Sequence, residues 1–235
     1  MKLSVIIPAY NEESVIQNTL DEVLTYLQLK FTNNFELIVV DDGSGDNTSV
    51  IVVKYDQVTL IRQKNTGKGG AVRTGVLASQ GEWILFMDAD NSTRIKELDE
   101  FTRNMNGADI IIGSRAIVGS KIDVKQPWIK SLFGRIGNVL IQMVLLPGIK
   151  DSRCGFKLYS NKVKDIFRAQ KLNSWAFDDE ILFLAMKKGM KIKELPVTWV
   201  NNFDTTVKPL DYLTTIFDLF RVRFNYFRGA YKFLK

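Results

Sequence analysis

The chain has 235 residues, 46% of them hydrophobic and 25% charged, with a formal net charge of +6. This composition suits a globular chain long enough for one full core and is read as a single unit. There is no histidine, which excludes histidine bases, metal ligands and pH switches, and only one cysteine, Cys154, which excludes an internal disulfide.

Leu3–Pro8 reads as a buried strand, cut short by Pro8 and the polar Tyr10-Asn11-Glu12, and not as a signal peptide. Glu13–Leu29 carries Val15, Ile16, Leu20, Val23, Leu24 and Leu27 at helical spacing. Phe35–Val40 is a second strand, running into Asp41-Asp42-Gly43-Ser44. Asn47–Tyr55 predicts a short helix and Val58–Arg62 a third strand. Lys68–Ser79 predicts a helix opened by glycines, and Trp83–Met87 a fourth strand ending in Asp88-Ala89-Asp90. Apolar strands alternating with helices predict an α/β fold with a mostly parallel sheet covered on both faces.

Ala108–Gly113 is a further strand, followed by Ser114-Arg115 and a polar stretch, Ala116–Gln126, read as a mobile loop. Ser131–Leu146 is amphipathic, with Ser131, Arg135, Asn138 and Gln142 on one stripe. Ser174–Lys188 predicts a helix that opens with Asp178-Asp179-Glu180, and Lys191–Val200 a half-exposed strand. At the C-terminus Leu213, Ile216, Phe217, Phe220, Phe224, Phe227, Tyr231 and Leu234 recur every three to four residues, with Arg221, Arg228, Lys232 and Lys235 between them. That pattern suits a helix lying in a membrane interface, or one packed on the core with its charges solvated. No uncharged apolar run reaches the roughly 20 residues a membrane-spanning helix needs.

Ligands of α/β sheets bind at the carboxyl ends of strands, where every motif above falls. Two carboxylates one residue apart, Asp88 and Asp90, can share a hard divalent cation. With no histidine and one cysteine, Mg²⁺ or Mn²⁺ is the expected metal, and Ser92 is a lesser candidate ligand. Such a cation can clamp a diphosphate. Asp42 is placed to accept hydrogen bonds from a base or ribose, or else to cap a strand-to-helix turn. The glycines of Asn65-Thr66-Gly67-Lys68-Gly69-Gly70 let backbone approach a ligand closely, and Lys68 adds positive charge. Arg135, a lone charge in an apolar segment, either snorkels to water or meets an anion. The basic balance suits a phosphorylated ligand or an anionic lipid surface, and no zinc-finger or basic helix-turn-helix pattern supports nucleic acid. Cys154 reads as a small packed residue.

Pro8-Ala9-Tyr10-Asn11-Glu12, Asp41-Asp42-Gly43-Ser44, Asp88-Ala89-Asp90 and Gly113-Ser114-Arg115 together resemble the family 2 glycosyltransferases of GT-A fold. More narrowly the chain resembles the polyprenyl-phosphate sugar synthases over nearly its whole length. Asn65–Arg73, Asp151–Lys157 and Trp175-Ala176-Phe177-Asp178 look most like the dolichyl-phosphate glucosyltransferases. The resemblance implies transfer of a hexose with inversion, glucose from UDP-glucose, to a polyprenyl phosphate at a membrane surface. GDP-mannose as donor, a soluble sugar acceptor, and a non-catalytic nucleotide-binding protein are the alternatives.

Carried over by residue, the resemblance puts Pro8, Tyr10, Glu12, Asp42 and Lys68 on the nucleotide sugar. It puts Asp88 and Asp90 on the metal and diphosphate, and Arg115, Arg135 and Lys208 on the acceptor phosphate. Lys208 follows Thr205-Thr206-Val207, where the family pattern lacks the inserted valine. Asp90, Arg115, Arg135 and Asp178 are the residues expected to carry catalysis. Asp178, Asp179 and Glu180 sit where a base would be needed for a hydroxyl acceptor; with a phosphate acceptor Asp178 shapes the sugar site, and a solvated helix start is the plainer reading. Residues 1–209 would form the transferase body and 210–235 its C-terminal helix. The expected location is the cytoplasmic face of a membrane, peripherally held.

Overall fold

The computed structural model describes residues 2–123, 137–200 and 209–231. Its first half alternates as expected: β1 (Leu3–Ala9), α1 (Ile16–Phe31), β2 (Phe35–Asp41), α2 (Thr48–Val52), β3 (Val58–Arg62), α3 (Lys68–Ala78) and β4 (Trp83–Met87). α2 is shorter than its expected span because the run Val50-Ile51-Val52-Val53 is β-branched throughout and favours helix poorly. The second half holds α4 (Leu98–Arg103), β5 (Ile110–Ser114), β6 (Lys121–Ile122), α5 (residues 137–144), β7 (Phe156–Ser160) and α6 (Lys164–Ala169). After these come α7 (Phe177–Lys187), β8 (Ile192–Pro196), β9 (Thr198–Trp199) and α8 (Pro209–Phe227).

Seven strands form one sheet in the order β3-β2-β1-β4-β7-β5-β8, parallel except for β7, which runs antiparallel to both its neighbours. The strand read over Lys191–Val200 divides after Pro196. β8 pairs with β5, while β9 leaves to pair with β6. The part of Ala116–Gln126 that is described is therefore tied down and not a free loop, since Lys121 and Asp123 donate to the carbonyls of Val197 and Trp199.

Alternation along each strand fills two cores. Ile6, Ile38, Val40, Ile84, Phe86 and Tyr159 face α3, α6 and α7. Val5, Ile7, Val39, Leu85, Phe156 and Leu158 face α1 and α4. Sheet order reverses between β1 and β4, the place where α/β sheets open a crevice. β1 pairs with β4 only as far as Ile6–Phe86, yet pairs with β2 through Ala9–Asp41. Pro8, with no N–H to give, falls in the stretch that β4 no longer pairs. The two strands part there.

α8 has two distinct faces. Leu219 and Val222 are buried, as is Tyr231 beyond the helix end. Phe217, Phe220, Phe224 and Phe227 are 75%, 59%, 57% and 73% exposed. Tyr231, read from the sequence as part of the aromatic surface, belongs instead to the core, because the chain turns away from the helix axis after Phe227. Among the described residues no helix is long and apolar enough to cross a membrane.

Phe101 stacks edge-on against Phe156 with ring centroids 5.0 Å apart and both rings fully buried. Phe101→Ala should lower the unfolding free energy by about 3–5 kcal/mol, read by urea denaturation.

Candidate active site

The crevice is walled on one side by the turns after β1 and β2, which are laced together. Asn11, in the left-handed region at φ 57, donates its N–H to Ser44 Oγ at 2.9 Å. Its Oδ1 accepts from Gly45 N–H at 2.8 Å. Glu12 N–H donates to Thr48 Oγ1, and Asn47 N–H to Glu13 Oε2. Asp41 accepts from Ser44 N–H and the Ser49 hydroxyl. Burial alone would raise its pKa, but these bonds hold it below the usual carboxylate range. Tyr10 is about half exposed at the rim, while Pro8 is buried beneath it.

Asp42 is buried and already occupied. Its Oδ1 accepts from Gln63 Nε2 (2.6 Å) and Thr66 N–H (2.9 Å), and its Oδ2 from Gly67 N–H (2.8 Å). In this structure its partners are the glycine turn, not an open pocket. The glycines likewise make room for protein. A Cβ on Gly69 would lie 2.6 Å from Phe177 Cβ, and one on Gly67, at φ 91, would lie 2.7 Å from Asn173 O. Gly69 N–H donates to Asn173 O, and Gln170 Nε2 donates to Gly69 O. This corrects the expectation that those glycines serve close approach to a ligand. What the turn delivers to the crevice is Lys68, the first residue of α3.

Lys68 Nζ lies 2.6 Å from Asp88 Oδ1. Its ammonium also sits 4.9 Å from the Trp175 ring centroid and 5.5 Å from that of Phe86. Burial works against the Lys68 charge, but Asp88 more than offsets it. Asp88 N–H donates to Gly155 O at 3.0 Å, and a side chain on Gly155 would overlap the Asp88 carboxylate. Asp90 is held from within its own turn: Ser92 N–H and Ser92 Oγ donate to its two oxygens at 2.9 and 2.8 Å. Ser92 thus braces Asp90. Burial and the neighbouring Asp88 raise the pKa of Asp90. Glu12 is pushed up to about 7 by burial first, then by Asp90 and Asp88. Three carboxylates, with Lys68 beside them, therefore face one crevice.

The floor comes from β7 and α7. Lys157, fully buried in the middle of β7, pairs with Asp178 Oδ1 at 2.8 Å and donates to Cys154 O at 2.5 Å. Asp179 accepts from Ser152 Oγ (2.5 Å) and Arg153 Nη2 (2.9 Å). Glu180 accepts from the N–H groups of Lys171 and Leu172 and from Tyr231 Oη. Asp178, Asp179 and Glu180 are all buried, so the solvated-helix-start reading does not hold. Arg115 reaches the same region from the end of β5. Its Nε and Nη2 fork onto buried Asp151 at 2.7 and 2.8 Å, and its guanidinium lies 5.4 Å from the Trp199 ring. Burial opposes the Arg115 charge; Asp151 outweighs it, with Asp88 adding to the effect. Burial pushes the Cys154 thiol up to about 11, as suits a packed residue and not a nucleophile. Arg135 and Lys208 lie outside the described residues.

Sequence reading brought out Pro8, Tyr10, Glu12, Lys68, Asp88, Asp90, Arg115 and Asp178, and the fold gathers them at this end of the sheet. It missed Gly155, Lys157, Asp151 and Trp175 as working parts. The signal for Lys157 was present, since a lone cation in Phe156-Lys157-Leu158-Tyr159 can be buried only with a partner. Asp151 stood out only within the Asp151–Lys157 motif, and nothing in the sequence named Arg115 as its partner.

The donor set suits a hard cation. Asp88 and Asp90 offer carboxylate oxygens, and the mutual repulsion of Glu12, Asp88 and Asp90 would favour one. Among the described residues no three acidic side chains form a complete metal cage, so phosphate or water oxygens would have to complete the shell.

The family model described as Glycosyl transferase family 2 matches residues 4–167. A dolichyl-phosphate beta-glucosyltransferase of Dictyostelium discoideum is 35% identical, over 98% of this chain and 76% of its own length. That of Homo sapiens is 33% identical, over 98% and 78%. Among solved structures, glucosyl-3-phosphoglycerate synthase from Mycobacterium tuberculosis in complex with Mn²⁺, uridine-diphosphate and glucosyl-3-phosphoglycerate aligns with a TM-score of 0.68 and 18% identity. The alignment covers 94% of this chain and 78% of that one. Mannosyl-3-phosphoglycerate synthase from Rubrobacter xylanophilus aligns at 0.70 and 16%, covering 97% and 74%. These likenesses place the sheet described above in the GT-A fold.

Removing one partner of a buried ion pair strands the other charge. Lys157→Met should therefore cost about 3–5 kcal/mol in urea unfolding, and adding Asp178→Leu should restore most of that loss.

Proposed function

This chain belongs to glycosyl transferase family 2, and we propose that it transfers glucose from UDP-glucose to a polyprenyl phosphate such as dolichyl phosphate. The observation that carries the reading is the Asp88–Asp90 pair at the open end of the β1–β4 crevice, with Lys68 and Arg115 bringing positive charge to the same place. The relatives named dolichyl-phosphate beta-glucosyltransferases span almost the whole chain, which supports the sugar and the acceptor. A β product from an α-linked donor is made by a single displacement with inversion.

Pro8, Tyr10 and Glu12 on one wall line the nucleoside end of the crevice, and Asp42 acts there by holding the glycine turn in place. Asp88 and Asp90 would hold Mg²⁺ or Mn²⁺; a solved neighbour in the same fold contains Mn²⁺ together with UDP. When bound, the cation supplies charge neutralisation of the departing diphosphate. Lys68 adds a second positive charge beside it. Arg115, fixed by Asp151, meets the acceptor phosphate, with Arg135 and Lys208 as its partners. A phosphate acceptor is already ionised, so it needs orientation and not a base. The buried carboxylates favour this over a hydroxyl acceptor. Asp178 is locked to Lys157 and Asp179 to Arg153, so neither stands open to take a proton. Asp178 thus supports the sugar site from below.

α8 would hold the protein to the membrane that contains the acceptor, peripherally and at the cytoplasmic face. Phe217, Phe220, Phe224 and Phe227 form its exposed apolar stripe, flanked by exposed Arg221, Arg223 and Arg228.

The test is transfer to a short-chain polyprenyl phosphate with Mg²⁺ or Mn²⁺, from UDP-glucose and separately from GDP-mannose. Organic-phase product from UDP-glucose is expected. Product from GDP-mannose alone would replace the sugar, and no lipid product from either donor would overturn the acceptor. Asp90→Asn should lower turnover more than about a hundredfold and abolish Mn²⁺-dependent UDP binding, with an unchanged circular dichroism spectrum. Turnover like wild type would remove Asp90 from the metal site. The double variant Phe220→Ser, Phe224→Ser should stay folded yet fail to sediment with phosphatidylserine vesicles. Undiminished sedimentation would rule out the α8 face.

A further inference from the structure

α8 touches the site in a way that its exposed stripe does not require. Asp218, on its core side, accepts from Ser174 Oγ at 2.6 Å. Tyr231, just past the helix, donates to Glu180 Oε1 at 2.6 Å in a buried contact. Leu219 and Val222 pack into the core between these two bonds. Both bonds end on one short stretch of chain, residues 171–180, where Glu180 also gathers the N–H groups of Lys171 and Leu172.

That stretch roofs the glycine turn. Asn173 O receives Gly69 N–H, Phe177 packs on Gly69, and Trp175, the residue after Ser174, covers the Lys68 ammonium at 4.9 Å. Lys68 in turn meets Asp88. An unbroken series of contacts thus runs from the C-terminal helix to the carboxylate at the crevice. Ser174 itself is exposed, and Trp175 is only partly buried, so their own packing does not fix the roof.

We propose that Asp218 and Tyr231 are positioning residues, which hold Trp175 over Lys68 and so keep the donor end of the site in its working geometry. The structural part of this inference stands on the contacts alone; its consequence for the donor rests on the function proposed above. α8 then has two separable duties, an outer one through its phenylalanines and an inner one through Asp218 and Tyr231.

The test uses the full chain with Asp218→Ala, Tyr231→Phe and both together. Asp218→Asn, which keeps an oxygen for the Ser174 hydroxyl, serves as the conservative control. The first readout needs no function. Acrylamide quenching of Trp175 is taken as the difference between each protein and its own Trp175→Phe counterpart. The quenching constant should at least double in the double variant and stay near wild type in Asp218→Asn. An unchanged constant in a folded double variant overturns the proposal, whatever the protein's activity. The second readout is the donor. In the double variant the KM for UDP-glucose should rise about tenfold or more, with sedimentation on phosphatidylserine vesicles retained. A quenching change with KM unmoved would overturn the link to the donor site. If the wild-type protein neither binds UDP nor transfers glucose while the double variant shows the quenching change, the proposed function falls and the clamp stands. Where Tyr231→Phe fails to fold, Asp218→Ala against Asp218→Asn carries both readouts alone.

Discussion

Lys157 sets its amino group where water does not reach, and the surroundings supply its partners. Asp178 answers it from α7, the Cys154 carbonyl from its own chain, and the Phe86 ring from β4, 5.4 Å away. A buried charge without such partners would cost several kcal/mol (on the order of 3–5 after relaxation). The pair therefore fixes the register in which β7 and α7 meet beneath β4. Once that register is set, Gly155 lies under Asp88, Cys154 packs near the end of β5, and Asp151 meets Arg115.

Above this floor the charges alternate in sign along the crevice. Asp178 answers Lys157, Asp88 answers Lys68, and Asp151 answers Arg115. Each of these three cations is answered by a named carboxylate, whereas burial first and the neighbouring carboxylates second raise the pKa values of Glu12 and Asp90. Glu12, Asp88 and Asp90 thus gather three carboxylates at the place where β1 and β4 part. A divalent ion with a diphosphate is the kind of ligand that such a carboxylate cluster suits. The proposed reaction uses what is already arranged, and the lack of histidine removes nothing it needs.

Much of this was legible beforehand, and the reasons differ by element. β3 and β4 were found to the residue because short β-branched or aromatic runs bounded by turns have one reading. The strand-end motifs were legible because parallel sheets gather such ends on one side. β7 was not seen, since its apolar run holds Lys157 and its neighbours on the sheet are far away in sequence. α4 and α6, at six residues each, are too short to show a helical period. The partner of a charge is the hardest thing to read. Asp42 was left between a nucleoside contact and a turn cap, and its carboxylate binds the glycine turn; Asp178 was read as shaping the sugar site or as a solvated helix start, and it is buried. Both outcomes depend on chain segments that periodicity does not bring together.

The strand order carries a consequence for assembly of the chain. β1 to β4 can pair with one another once the chain has been made as far as Met87, before any later strand exists. β5 pairs with β7 and β8 and never with β4. A β5–β8 pair can form by itself, but it joins the sheet only when β7 inserts between it and β4. Until then β4, Trp83-Ile84-Leu85-Phe86-Met87, presents an apolar, unpaired edge of the sort that recruits other chains. The strand that completes the site is thus also the one that closes the sticky edge of a half-formed molecule.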